Sequence, residues 1–378
     1  PFDPNETGPM VRKKASELGI EVYLAEFSGM YMEDKGKDQL IYSFPVDDKG
    51  QVELPGMKDD VEYDKPFRIN PENTLIMARG IGSTVKTGNL SWRVACLNLE
   101  SQGYTLINPV ICHDICNDKW YNQIVFQQND IRTPNTVLVR HSEGAEDAAK
   151  RLGNKFPMIL KTAVGSRGVG VIWIESLKSL HSIIQLLHRE DEYVDILLQE
   201  YIKTDYDVRV IIAAGEILGE IKRPVVGDDF RSNVSQGSEP VSHELTEREA
   251  QESLRAAESV QGQVVGVDFI PAKNRDKESP YFIEVNSTPG LMGIEAVLSK
   301  SAAKPLIKGK GRSITKEILN LYKDRDLWAK SADTSGVHEK FKHKTLGELV
   351  GTMDTGNSAD NSVIHADSYD ISGKTLSL

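Results

Sequence analysis

The chain has 378 residues, too many for one small core and enough for two or three domains. Charged residues make up 27% and hydrophobic ones 39%, a balance that excludes a disordered chain and predicts a folded, soluble one. The net charge of −11 argues against a general nucleic-acid binder, whose phosphate contacts need a basic surface. No apolar run approaches the length needed to cross a bilayer, so no membrane association is expected. Pro1-Phe2-Asp3-Pro4 offers neither the basic start nor the apolar run of a signal peptide. An initiator Met is missing, which is the expectation for a fragment or a processed piece. The three cysteines all fall between Cys96 and Cys116, too few for a disulfide framework, and a reducing cytoplasmic setting follows.

In chain order, Gly19 to Ala25 and Thr74 to Met77 read as short apolar strands with turn formers at their edges. Asp34 to Pro71 is rich in Asp, Lys, Gly and Pro, and carries loops around one strand at Leu40 to Phe44. Trp92 to Leu99 has helical spacing and stops near Gly103. Asn117 to Gln128 reads as a helix ending before the Arg132-Thr133-Pro134 breaker. Phe156 to Thr162 and Val169 to Ile174 read as strands joined by a glycine-rich turn, Ser176 to His188 as a helix, and Ile196 to Ile202 as a strand. Asp207 to Ile212 and Ile217 to Arg223 form a hairpin around Ala214-Gly215-Glu216. Thr246 opens a helix, with Glu249 completing a capping box. Val264 to Ile270 and Tyr281 to Val285 read as buried strands. Lys304 to Lys310 is a basic loop, Ile314 to Tyr322 a helix, and the chain from Ala332 onward is polar. No internal repeat is visible.

The most informative block is Asp268 with Glu284-Val285-Asn286. Glu284 and Asn286 are two apart on a strand and share a face, and Asp268 on the other strand can face them. Hard oxygen ligands arranged this way suit Mg²⁺; the competing reading is polar strand ends capped by turns. A second block runs from Lys161 through Gly165, Ser166, Gly168 and Gly170, a lysine and a glycine-rich turn whose backbone N–H groups can approach phosphate. It is neither a Walker A loop nor a dinucleotide fingerprint, because strands flank it on both sides. A plain turn is its alternative. Gln199-Glu200-Tyr201-Ile202 with Asp207 and Arg209 offers a strand edge for an adenine and an acid for ribose hydroxyls. Lys222-Arg223 and Phe230-Arg231-Ser232-Asn233 cluster cations suited to phosphate or carboxylate, against the alternative of a solvated hairpin tip.

In this order the blocks resemble the ATP-grasp superfamily, and its RimK-type branch of ribosomal-protein glutamate ligase-like enzymes most closely, from about His113 to Glu295. The carriers are N-D-K at 117–119, K-T-A-V-G-S-R-G-V-G-V at 161–171, Q-E-Y-I at 199–202, D-V-R at 207–209, K-R at 222–223, D-F-R-S-N at 229–233, G-V-D at 266–268 and E-V-N-S-T-P-G at 284–290. The resemblance implies an N-terminal pre-ATP-grasp α/β domain over 1–112, then an ATP-grasp domain over 113–322 whose two α+β subdomains clamp ATP, then a linker over 323–345. By the same resemblance Lys119 and Lys161 contact ATP phosphates, and Gln199, Glu200, Tyr201 and Ile202 form the adenine hinge. Asp207 binds ribose, while Asp268, Glu284 and Asn286 hold two Mg²⁺ ions, with Mn²⁺ as an alternative. Arg209, Arg223, Arg231 and Asn233 are the catalytic set, with Ser232 beside them at the nucleotide. Arg79 looks like a substrate-side residue.

The implied activity is an ATP-dependent ligation of an amino acid, glutamate by resemblance, to a carboxyl group of a peptide or protein through an acyl phosphate. A small-molecule ligase of the same fold, a non-catalytic nucleotide-binding module and a protease partner are the alternatives, and an oligomer is left open. Cys112-His113-Asp114-Ile115-Cys116 lacks a second ligand pair at zinc-like spacing, Cys96 reads as core, and His338 and His343 read as solvent-facing. Met353-Asp354-Thr355-Gly356 with Ser362 to Ala366 resembles the start of a retropepsin-like domain over 346–378, too short to be whole, and Asp354 is given no activity.

Overall fold

The computed structural model describes residues 7–25, 30–35, 38–43, 67–79, 90–163, 171–190, 194–225, 239–300, 312–328, 368–369 and 375–376. Its contacts divide the chain into Pro1–Ala332 and Asp333–Leu378. In the second unit Ser368–Tyr369 pairs antiparallel with Thr375–Leu376; Met353–Gly356, Ser362–Ala366, His338 and His343 lie outside the described residues. Everything below concerns the first unit.

The N-terminal part opens with α1 (Thr7–Ser16), which buries Val11 and Ala15. Strands β1 (Met30–Lys35), β2 (Asp38–Ser43) and β3 (Phe67–Ile69) form an antiparallel sheet. Beside it, β4 (Leu75–Met77) and β5 (Thr105–Ile107) pair in parallel, and the connection between them contains α2 (Leu90–Ser101). Ile41, Ile69, Ala78, Cys96, Leu99, Tyr104 and Leu106 share one core. The strand expected over Gly19 to Ala25 is absent. Gly19 stands at φ 68, and the Ile20 N–H returns to Ala15 O at 2.9 Å, so the glycine ends a helix instead of opening a strand. The residues that follow alternate in exposure but have no ladder partner among the described residues.

Next come α3 (Val110–Asn117) and α4 (Lys119–Gln128). A single helix over Asn117 to Gln128 is therefore corrected at its start. Asp118 leaves helical geometry, and its carboxylate accepts from the N–H groups of Trp120 at 2.8 Å and Tyr121 at 3.0 Å, capping α4. A four-stranded antiparallel sheet follows, built from β6 (Thr136–Val139), β7 (Met158–Thr162), β8 (Val171–Ile174) and β9 (Ile196–Glu200) in the order β6-β9-β7-β8. Helices α5 (Ala145–Arg151) and α6 (Leu177–Glu190) pack on it through Ala145, Ala148, Ala149, Leu180 and Ile184.

The larger sheet comprises β10 (Tyr206–Ala213), β11 (Glu216–Pro224), β12 (Val241–Ser242), β13 (Val264–Ile270) and β14 (Tyr281–Asn286), in the antiparallel order β12-β11-β10-β13-β14. Ala214 and Gly215 join β10 to β11 at φ 49 and 78, the pair of positive angles that a two-residue hairpin turn needs. On one face Val208, Val210, Ile212, Val267 and Phe269 pack against α3, α4 and α7 (Glu247–Ser259), whose capping box of Thr246 and Glu249 forms as the sequence predicts. On the other face Ile211, Leu218 and Ile221 pack against α8 (Met292–Lys300) and α9 (Ile314–Leu321). Gly219 permits that approach, since a Cβ there would lie 2.5 Å from Leu298 Cδ1. The end of the unit folds back on its beginning. Lys316 Nζ pairs with Glu17 Oε2 at 2.6 Å, Lys323 Nζ donates to Leu18 O at 3.2 Å, and Thr105 Oγ1 donates to Trp328 O at 3.1 Å. Among the described residues no helix is long and apolar enough to cross a membrane.

Candidate active site

The face of the larger sheet that carries Ile211 and Ile221 turns charged toward one end. Residues two apart on a strand share a face, and so do direct antiparallel partners. Asp207 is opposite Arg223, Arg209 is opposite Asp268, and Asp268 is opposite Glu284, so each arginine meets an acid and two acids stand side by side. One rung on, Gly266 faces Asn286. A Cβ at Gly266 would stand 3.0 Å from Pro289 Cβ, so this glycine lets the turn after Asn286 lie close to β13. Alternation along two paired strands is what brings Asp268, Glu284 and Asn286 to one place.

The ion pairs are short and buried. Arg209 Nε donates to Asp268 Oδ1 at 2.7 Å and its Nη2 to Asp268 Oδ2 at 2.5 Å. Arg223 Nη2 reaches both Asp207 Oδ2, at 2.6 Å, and Asp268 Oδ2, at 2.9 Å, while its Nε donates to Asp207 Oδ1 at 2.7 Å. Burial works against the charge on Asp268, but Arg209 and Arg223 outweigh it and hold the carboxyl below its usual range. Burial likewise opposes the charge on Arg223, which Asp268 and Asp207 raise instead. Arg209 and Arg223, expected to face substrate, are thus bound to acids of the same site. Asp207, expected at a ribose, has both oxygens on Arg223, so a ribose there requires that pair to open. A strand register, invisible in the sequence, sets each of these cations opposite an acid.

The smaller sheet supplies the lysines. Lys161 sits on β7 and donates from Nζ to Gln199 Oε1 at 2.8 Å; Gln199 Nε2 in turn donates to Thr136 Oγ1 at 2.8 Å. Lys119 opens α4, and its N–H donates to Ala163 O at 2.9 Å just past the end of β7. Burial pulls the Lys161 ammonium down to about 8; Glu284 pulls the other way and Lys119 adds to the fall. Burial also lowers Lys119, again against Glu284 and then Asp118. Both lysines thus lie within the field of Glu284. Glu200 Oε1 accepts from Asn135 N–H at 2.8 Å, and Tyr201 packs edge-on against Trp173 with centroids 4.8 Å apart. Ile202 follows β9 and is half-buried. Gly165, Ser166, Gly168, Gly170, Arg231, Ser232 and Asn233 lie outside the described residues.

Asn108 and His113, which the sequence reading did not place in the site, and Arg79, which it set on the substrate side, hold its backbone. Asn108, buried after β5, donates from Nδ2 to Val264 O at 2.8 Å and Ser287 O at 2.6 Å, and its Oδ1 accepts from Gln263 N–H and Val264 N–H at 2.6 and 2.7 Å. His113 Nδ1 lies 3.0 Å from Ser287 Oγ. Arg79 Nη2 donates to Thr288 O at 3.3 Å and Pro289 O at 3.1 Å, and Asn286 Oδ1 accepts from Thr288 N–H at 2.9 Å. No spacing in the sequence marks Asn108, whose partners lie 155 to 179 positions away. His113 stood in a cysteine-flanked stretch. Its neighbours are otherwise engaged: Cys112 and Cys116 Sγ lie 3.9 Å apart, and Asp114 pairs with Arg93. Among the described residues no three His, Cys, Asp or Glu side chains gather as a metal cluster. The hard-oxygen set of two carboxylates and a carboxamide still fits Mg²⁺, which needs few protein ligands.

The sequence profile of the RimK-like ATP-grasp domain matches residues 116–309, just over half of the chain. A probable alpha-L-glutamate ligase of Marinomonas sp. (strain MWYL1) is 30% identical over 260 residues, covering 68% of this chain and 82% of its own. The probable alpha-L-glutamate ligase 2 of Pseudoalteromonas atlantica (strain T6c / ATCC BAA-1087) is 29% identical over 211 residues, 55% of this chain and 68% of its own. Among solved structures, the ATP-grasp ligase PsnB complexed with a phosphomimetic variant of its minimal precursor, Mg and ADP superposes at a TM-score of 0.55 with 15% identity, over 85% of this chain and 94% of that one. The macrocyclase MdnC bound with precursor peptide MdnA, from Microcystis aeruginosa MRC, gives 0.52 with 13% identity over 83% and 94%. The two structures share the fold. With the profile matching more than half of the chain and the Marinomonas relative aligned over 68% of it, the chain belongs to the RimK-like ATP-grasp family and is an ATP-dependent carboxylate–amine ligase.

Proposed function

We propose that this ligase transfers the γ-phosphate of ATP to a carboxylate of a peptide or protein, and passes the resulting acyl group to the amine of an amino acid, glutamate. One observation carries the reading: Lys119 and Lys161 lie in the field of Glu284, on the side of the larger sheet where Asp268 and Asn286 also stand. Cations for phosphate and hard oxygens for a metal converge on one volume. The relatives' names supply glutamate, and the precursor-bound PsnB and MdnC supply the peptide.

In the first step a carboxylate oxygen attacks the γ-phosphorus, the bond to the β-phosphate oxygen breaks, and ADP leaves. In the second the amine nitrogen attacks the acyl carbon, the C–O bond to phosphate breaks, and phosphate leaves as the amine gives up a proton. Both steps bring anions together, so alignment and neutralisation are the main tasks of the protein. Lys161, steadied by Gln199, and Lys119 hold phosphate oxygens, joined by Gly165, Ser166, Gly168 and Gly170. Gln199 to Ile202 receive the adenine, and Asp207 the ribose once Arg223 releases it. Arg209 and Arg223, with Arg231, Ser232 and Asn233, attend the transferred phosphoryl group. Asp268, Glu284 and Asn286 hold Mg²⁺, two ions or Mn²⁺ in their place, which when bound offsets charge on the β- and γ-phosphates. Residues 1–112 act as the pre-ATP-grasp domain and 113–322 as the ATP-grasp domain, working in the cytoplasm.

The test is Mg²⁺-dependent ADP release with a panel of amino acids, with and without a carboxyl-bearing peptide. Release that needs both substrates and disappears in Glu284→Ala is the expected result. ATP binding without release in any mixture would overturn the proposal.

A further inference from the structure

Arg79 follows β4 and is half-buried. Its Nη2 donates to the carbonyls of Thr288 and Pro289, in the turn that leaves Asn286. Arg93, Arg209, Arg223 and Arg275 each pair with a carboxylate, but no acid pairs with Arg79 among the described residues. Burial alone pulls its guanidinium down to about 10. A cation taken from water and met only by neutral carbonyls is an uncompensated charge, which costs several kcal/mol unless an anion arrives. The two carbonyl contacts fix the plane of the guanidinium, while Nε and Nη1 make no hydrogen bond among the described residues.

A second group is uncompensated beside it. His113 is 1% exposed, its Nδ1 engages Ser287 Oγ, and its buried Nε2 has no hydrogen-bond partner among the described residues. Burial holds this imidazole neutral, with a pKa of about 4, and Arg79 is close enough to contribute to the fall. If Nδ1–H donates to Ser287, a lone pair remains on Nε2. A carboxylate-seeking fork and an N–H acceptor, both from before residue 116, therefore converge on the turn that follows the candidate metal ligand Asn286.

We propose that Arg79 and His113 form the subsite for the amine substrate as an α-amino acid, a free N–H of the Arg79 guanidinium taking its unreacting α-carboxylate and His113 Nε2 accepting from its amino group. This rests on the ligase reading and deepens it: the amine is selected by the N-terminal part of the chain, while nucleotide and metal are held by the two sheets. Neither residue moves protons to the nucleotide, and neither touches phosphate.

Calorimetric titration of the Mg·ADP-loaded chain tests this with L-glutamate and with 4-aminobutyrate, which lacks only the α-carboxylate. Wild type should bind L-glutamate at least about tenfold more tightly than 4-aminobutyrate, the scale of one charge-assisted hydrogen bond. Arg79→Gln should bring the two ligands to equal affinity and leave Mg·ADP binding unchanged, Arg79→Lys should restore part of the preference, and His113→Gln should weaken both ligands. Equal affinities in wild type overturn the subsite without any variant having to fold. So does a preference that survives Arg79→Gln. If amine-dependent ADP release remains while Arg79→Gln leaves the KM for L-glutamate unchanged, the subsite falls and the ligase reading stands. Loss of release with every amine, in wild type, removes the ligase reading itself and the subsite with it.

Discussion

Replacing Arg209 by Gln sets a guanidinium and a divalent cation in competition for one carboxylate. Asp268 accepts two bonds from Arg209, at 2.7 and 2.5 Å, and one from Arg223 at 2.9 Å. Its side chain is 3% exposed and that of Arg209 17%, so water screens neither well. A cation that binds Asp268 competes with Arg209 for the charge of this carboxylate. Hydrogen bonds to charged groups contribute about 1.5–3 kcal/mol each. At about 1.4 kcal/mol per factor of ten, removing the competitor should raise the affinity of the nucleotide-free chain for a divalent cation about 10- to 100-fold. Mn²⁺ is a convenient probe, because its free ion is counted directly by electron paramagnetic resonance. Wild type and Arg209→Gln are titrated without nucleotide, and Arg209→Gln combined with Asp268→Asn should lose the gain. Equal Mn²⁺ affinity in folded wild type and Arg209→Gln would refute the competition. The same variant should turn over more slowly with Mg·ATP, since the cation that Asp268 gives up is the one proposed for the phosphoryl group.

Other outcomes follow from the same geometry. Lys161 has a folded pKa of about 8 against an ordinary 10.5, so the unfolded chain binds more protons between those values. Its contribution to stability therefore grows as pH rises from 8 to 10.5 and is lost as pH falls back through 8. ATP affinity runs the other way and should decline above pH 8, with a flatter decline in Lys161→Arg; parallel profiles for the two chains would count against Lys161 as a phosphate ligand. Asn108→Ala orphans two backbone donors and two carbonyls, at about 1–3 kcal/mol for each buried group left unsatisfied. Partial relaxation brings the expected loss to about 3–5 kcal/mol in urea unfolding. A loss below about 1 kcal/mol would mean that the clamp on Val264 and Ser287 is not what its geometry suggests.

Much of the ligase framework was readable because its strands announce themselves. Val264 to Ile270 is apolar except for Asp268, Ala214-Gly215 marks a tight turn, and Thr246 with Glu249 marks a helix start, each a local signal with a local cause. Glu284 and Asn286 could be set on one face from their spacing, and the ladder agrees. What the sequence hid is of another kind. The pairing of Arg209 with Asp268 joins positions 59 apart, and only the order β11-β10-β13-β14 determines which acid meets which arginine. The role of Asn108 depends on strands 155 or more positions later. The break at Asp118 was missed because an Asp inside an apolar-periodic run is as compatible with an exposed helix position as with a cap, and the difference lies in where α3 must end. Gly19 misled in the opposite sense, a helix terminator standing where a strand opener was expected.

The contact between α1 and α9 bears on how the protein is made. Lys323 Nζ and Leu18 O are 305 positions apart, and Met10 lies against the cluster containing Ile314 and Ile318. A ribosome delivers residues in order, at about 5–20 per second, so roughly 15–60 seconds separate the synthesis of the first described helix from that of its partner. Over that interval Met10 and its neighbours have no α9 to cover them. Assembly of the N-terminal part is therefore completed from the far end of the unit, and a chain stopped before residue 312 would leave α1 without the surface it packs on.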